Sequence, residues 1–109
     1  MKTIALLAAA AAAFAFVLPA SAAVDADAAN KALKDNGCTK CHSVDKDKKG
    51  PSFKKTAAKY KGKADAEAVL TKFLATGPKV KTEDGTEEEH KTLKDAAPAK
   101  NLVQFILAQ

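Results

Sequence analysis

Cys38-Thr39-Lys40-Cys41-His42 constrains this chain more than any other stretch. Two thiols three positions apart can each add to one vinyl group of a haem, which gives two thioether bonds. The next residue then brings an imidazole to the iron. This C-x-x-C-H spacing is the attachment pattern of c-type haem. Two other chemistries use the same residue types. A redox dithiol calls for a strand leading into a helix, and nothing in the chain reads as a strand. A zinc site would need Cys38, Cys41, His42 and His90, because the sequence holds no other Cys or His. Adjacent Cys41 and His42 make an awkward pair of ligands for one tetrahedral ion. The motif therefore predicts one covalent haem per chain, bound through Cys38 and Cys41 with His42 on the iron.

The segment ahead of the motif fits export. Met1-Lys2-Thr3 is followed by an apolar stretch from Ile4 to Leu18 and then by Pro19-Ala20-Ser21-Ala22-Ala23. A charged start, a hydrophobic centre and a small-residue end make a secretory signal peptide over residues 1–22, with the favoured cut after Ala22 and a cut after Ala23 as the alternative. A permanent membrane anchor would be longer and would not end at a helix breaker. The expected mature domain is 23–109, periplasmic, with no stable membrane anchor after cleavage. With no cysteine outside the motif, a disulfide framework is impossible.

A domain this small has a marginal polypeptide core, and a buried haem supplies apolar mass. The mature segment has no Trp and only four aromatics, Phe53, Tyr60, Phe73 and Phe105. Every basic residue is a lysine, and the chain carries a formal net charge of +5. Acids interspersed along an exported chain exclude nucleic acid as the expected partner. The lysines are either an ordinary solvated surface or a ring that steers an acidic redox partner. A haem domain of this size can stand alone as a monomer.

Helix signals run through the mature segment. Asp25 or Asp27 can cap a first helix, in which Ala28, Ala29, Ala32 and Leu33 recur at helical spacing, and Asn36-Gly37 ends it. Residues 43–52 are polar and contain Gly50-Pro51, so they form a loop. A short helix fits Phe53 to Tyr60. Asp65 can cap a third helix, with Ala66, Val69, Leu70, Phe73 and Leu74 on one stripe, stopped by Thr76-Gly77-Pro78. Residues 79–94 hold only Val80 and Leu93 as apolar side chains and read as a long loop, often functional in a small domain. Asp95 caps the last helix, Pro98 falls in its first turn, and Leu102, Phe105 and Ile106 share a face. The fold class is all-α and single-domain.

These pieces resemble class I cytochrome c of the small bacterial kind. The matching residues are Gly37-Cys38-x-x-Cys41-His42, Gly50-Pro51-Ser52-Phe53, Ala57-Ala58-Lys59-Tyr60-Lys61-Gly62 and the terminal Leu102-Val103-x-Phe105-Ile106-Leu107. The resemblance implies three to four helices wrapped around one covalent haem. It makes His42 the proximal ligand and gives the Pro51 carbonyl the task of accepting the other ring N–H of His42. It also implies that Leu33 meets Phe105 or Ile106.

The chain departs from that family in one respect. Most members complete the iron with a methionine from the loop before the last helix, and here the sole methionine is Met1. His90, in the same loop, is the expected replacement, within the polar run Glu87-Glu88-Glu89-His90-Lys91. Other options are Asn101, Lys91 or an open sixth position. Two strong axial ligands suit electron transfer, and an imidazole in place of a thioether lowers the reduction potential. An open or displaceable site suits a gas-binding or sensor protein for O2, NO or CO. A peroxidase-like enzyme ranks third, since no arginine is available to assist bond cleavage. The expectation is therefore a non-enzymatic carrier.

Overall fold

A computed structural model describes residues 23–109; the expected signal peptide, 1–22, lies outside the described residues. Helix α1 spans Ala26–Asp35, and of the two candidate caps it is Asp25 whose carboxylate accepts the Ala28 N–H at 2.9 Å. Gly37, with φ of 67°, takes the left-handed conformation that ends this helix and opens a 3-10 turn over Cys38–Lys40. Helix α2, Phe53–Tyr60, starts at Ser52, whose hydroxyl accepts the Lys55 N–H at 3.1 Å. Helix α3 covers Ala66–Thr76 and stops at Gly77, φ 54°. Helix α4 covers Ala96–Leu107, with Pro98 in its first turn.

Helix α4 is the hub, packing against α1, α2 and α3. Its Ala99, Leu102 and Val103 are buried almost completely, and Ala29 and Leu33 are buried on α1. Removing a Leu side chain of this kind from water is worth about 1.5–3 kcal/mol. The cluster of Ala29, Leu33, Phe53 and Leu102 has Phe105 and Ile106 packed against it, so Leu33 and the terminal aromatic face share one core. The two chain-end helices are also clasped. Asp25 N–H donates to the Asn101 side-chain oxygen and the Asn101 amide donates to Asp25 C=O, both at 2.9 Å.

The loop expected at 79–94 carries a small hairpin instead. Strands β1 (Lys79–Lys81) and β2 (Glu87–Glu89) pair antiparallel, with Lys79 opposite Glu89 and Lys81 opposite Glu87. Facing opposite charges stabilise such a ladder without apolar alternation. The turn runs over Thr82–Gly85, closed by the Gly85 N–H donating to Thr82 C=O at 2.9 Å, with Gly85 at φ 86°. The Asp84 carboxylate accepts from the Thr82 and Thr86 hydroxyls and from the Thr86 N–H. These bonds hold its carboxyl well below the ordinary value of 3.8.

Candidate haem site

The proximal side is assembled from one short turn and one loop. After Gly37, the Cys38 carbonyl accepts N–H groups from both Cys41 (3.1 Å) and His42 (3.0 Å). This winds the C-x-x-C-H segment into a compact coil. Both thiols are free and half-buried. Burial pushes the Cys38 thiol above its ordinary value, with Lys91 acting weakly in the other direction.

The loop over 43–52 folds back onto His42. Gly50 N–H donates to Cys41 C=O at 2.8 Å, and Phe53 N–H donates to Ser43 C=O at 2.9 Å. His42 Nδ1 lies 2.7 Å from the Pro51 carbonyl oxygen. A carbonyl has no proton to give, so Nδ1 carries the proton and Nε2 keeps its lone pair for a ligand. Phe53 stacks on the ring, centroids 5.3 Å apart and planes 22° from parallel. A Cβ at Gly50 would fall 2.5 Å from His42 Cε1, so only glycine lets the backbone approach this closely. Burial lowers the His42 pKa, outweighing the Pro51 bond that raises it, and nearby His90 lowers it further. Both effects favour a neutral imidazole.

The candidate distal residue, His90, stands at the end of the hairpin. His90 directly follows β2 and is half-buried. Its N–H donates to Pro78 C=O at 3.0 Å, and Leu93 N–H donates to Leu74 C=O at 2.8 Å, which fastens the strand end to the end of α3. The sequence shows nothing apolar beside His90, yet the fold supplies Phe73, whose ring meets the imidazole edge-on at 4.8 Å and 68°. His90 Nδ1 donates to the Lys91 carbonyl at 2.8 Å, so it too presents Nε2. The ring centroids of His42 and His90 are 6.0 Å apart with planes at 50°.

Several sequence readings can be placed on this geometry. Asn101 spends its amide on both backbone groups of Asp25, so it is not available as an iron ligand. Lys91 is exposed, with its ammonium close to Gly37. Among the described residues no group of three or more His, Cys, Asp and Glu side chains could hold a bare metal ion, which leaves the zinc reading without support. The residues do fit a haem. Two half-buried thiols sit beside an imidazole with a fixed tautomer, and Val44, Leu74, Phe105 and Ile106 form a half-buried apolar wall against the core. Sequence reasoning passed over Phe73 and Phe53 as imidazole neighbours, because their spacing marks them only as core. It also passed over Asp47, whose Oδ1 accepts the Ser52 N–H at 2.8 Å.

Comparison with known proteins agrees with this construction. The family model for cytochrome c matches residues 26–109. Curated relatives include cytochrome c-551 of Pseudomonas aeruginosa, 42% identical over 45 residues, covering 41% of this chain and 43% of that protein. Cytochrome c-551 of Azotobacter vinelandii is 47% identical over 45 residues, covering 40% and 55%. The chain thus spans about half the length of the curated relatives it matches. Among solved structures, the class 1 cytochrome MtoD from Sideroxydans lithotrophicus ES-1 superposes with a TM-score of 0.77 and 53% identity, covering 79% of this chain and 97% of that one. Cytochrome c552 of Nitrosomonas europaea gives 0.60 and 32%, covering 76% and 96%. The chain is a member of the cytochrome c family, of the small class I type, and its cofactor is one covalent c-type haem.

Proposed function

We propose that the protein is an exported, periplasmic electron carrier whose haem iron is held between His42 and His90. The observation that carries this reading is the 6.0 Å between the two rings, taken with both Nδ1 atoms engaged by carbonyls. Two imidazoles that bind one metal ion through nitrogen at about 2.0–2.1 Å place their centroids about 6 Å apart. When bound, the haem supplies a one-electron iron couple. Cys38 and Cys41 fix it to the chain. His42, locked by Pro51 and Gly50, and His90, steadied by Phe73, keep the same two donors in both oxidation states, so little rearrangement accompanies each transfer. Lys34, Lys40 and Lys91, with Asp35 and Glu89 among them, line an opening beside Gly37 and His90, and this small excess of positive charge supports an acidic redox partner. Among the described residues no helix is long and apolar enough to cross a membrane.

A second reading, gas binding at a displaceable distal site, draws on the exposure of β2, where all three residues face solvent. The optical spectrum separates the two. The wild type should be low-spin and slow to take up carbon monoxide when reduced. His90→Ala should turn high-spin and bind carbon monoxide readily. A high-spin wild type, or a His90→Ala protein with an unchanged spectrum and potential, would remove His90 from the iron.

A further inference from the structure

The Pro51–Ser52 peptide is engaged at both ends. Its carbonyl accepts the His42 Nδ1–H at 2.7 Å, and its N–H, belonging to Ser52, donates to Asp47 Oδ1 at 2.8 Å. The two ends of one amide are conjugated, so a negative charge on the N–H side pushes electron density toward the oxygen. We propose that Asp47 is a positioning residue that acts on the iron through this single peptide. The chain carboxylate, peptide, imidazole runs without a gap, and each hydrogen bond strengthens the next. It is the carboxylate–histidine–metal arrangement with a peptide unit inserted. This inference rests on His42 as the proximal ligand and goes beyond that assignment.

The surroundings keep the relay in register. Asp47 and His42 are backbone bridge partners, so carboxylate and imidazole are fixed relative to each other by main chain. Ser52 is the sole buried polar residue among those described, 5% exposed, so little water competes for its N–H. The other carboxylate oxygen, Oδ2, meets Lys55 Nζ at 3.3 Å, with both side chains exposed. Lys55 therefore attenuates the charge without removing it. The Asp47 carboxyl is held below its ordinary value, chiefly by the Ser52 N–H and then by Lys55. A carboxylate pushing through the peptide gives His42 partial imidazolate character. That makes it a stronger donor, favours the ferric state and lowers the potential.

Three variants of the holoprotein test this. Asp47→Asn keeps an acceptor for the Ser52 N–H and loses the charge. Ser52→Pro keeps the charge and loses the N–H, and Ser52 already has φ of −62°, which proline adopts. Ser52→Ala keeps both the charge and the N–H, loses the hydroxyl with its helix cap and its minor hydrogen bond to Asp47, and is the control. The readouts are the reduction potential and the proton resonance of His42 Nδ1–H in the reduced, low-spin protein. Asp47→Asn and Ser52→Pro should both raise the potential, by up to about tenfold in the ferric-to-ferrous equilibrium, or 59 mV for a one-electron couple. Both should move the Nδ1–H resonance toward that of a weaker hydrogen bond, while Ser52→Ala does neither. If Asp47→Asn raises the potential and Ser52→Pro does not, the carboxylate acts through space and the relay is wrong. If neither variant moves the resonance, Asp47 is purely structural. A normal spectrum for His42→Ala would overturn the ligand assignment beneath the proposal, a separate failure from either of these.

Discussion

His42 lies against Phe53 and over Gly50, with Nδ1 bonded to a carbonyl nine residues along the chain. His90 bonds the carbonyl of the very next residue and follows a strand whose residues are all exposed. Both imidazoles present the same nitrogen, yet one is fastened through the helical core and the other through a local turn and the end of α3. Local bonds in an exposed segment open at low free energy, whereas those anchored to buried residues such as Phe53 open only with the core. On the proposed His42 and His90 ligation, the His42 side would be the more firmly held, and any ligand exchange at the iron should occur on the His90 side.

Gly50→Ala attacks the His42 side and should have the largest effect. The new methyl would overlap the His42 ring, and overpacking of this kind costs about 1–3 kcal/mol. The expected result is a sharp loss of holoprotein yield and a disturbed spectrum in what remains. Normal yield and spectrum would show the proximal side to be the more forgiving one, reversing the comparison. Gly77→Ala attacks the His90 side. Gly77 has φ of 54°, and an added Cβ would lie 2.5 Å from His90 O. The left-handed backbone alone costs about 1–2 kcal/mol. Covalent haem should survive, while carbon monoxide uptake by the reduced protein becomes faster and part of the spectrum turns high-spin. Uptake at the wild-type rate would mean that the end of α3 does not hold His90 in place.

Asp84→Asn should have the smallest effect and sharpens the comparison by titration. Hydrogen bonds from Thr82 and Thr86 depress the Asp84 pKa in the folded state. A depressed carboxylate stabilises the fold above its unfolded value and loses that contribution as pH falls. Wild type should melt slightly above Asp84→Asn at neutral pH, and the gap should narrow steadily as pH drops below 3.8. A gap that does not change with pH would mean that the turn depends on shape rather than on charge.

The two sides also differ in how they could be read from the chain. Helix α2 runs over Phe53–Tyr60, the stretch that the Gly50-Pro51 loop before it and Lys61-Gly62-Lys63 after it mark out. Gly37 and Gly77 end α1 and α3 where glycine is expected. The proximal residues lie close together in sequence, so the motif and the Gly50-Pro51 turn mark them directly. The hairpin was hidden, because Lys79-Val80-Lys81 and Glu87-Glu88-Glu89 lack the alternation of apolar and polar residues that announces a strand. Only Asp84-Gly85 hinted at it. The setting of His90 was hidden for a different reason. Phe73 lies far away in sequence, and no periodicity shows which helical aromatic will meet a loop imidazole. Asp47 reads as one more charge in a polar loop until backbone bridging places it opposite His42.

The clasp between Asp25 and Asn101 ties the first helix to the last, and this bears on how such a protein can change over generations. With both ends of the domain joined directly, the frame of α1 and α4 does not rely on the segment that bears His90. Surface segments of this sort tolerate replacement more readily than the frame that carries them. On the proposed His90 ligation, substitutions over 79–92 would exchange one sixth ligand for another while Cys38, Cys41 and His42 stay unaltered. A lineage can in this way explore new potentials or new small-molecule ligands one hairpin at a time, with the fold itself held constant.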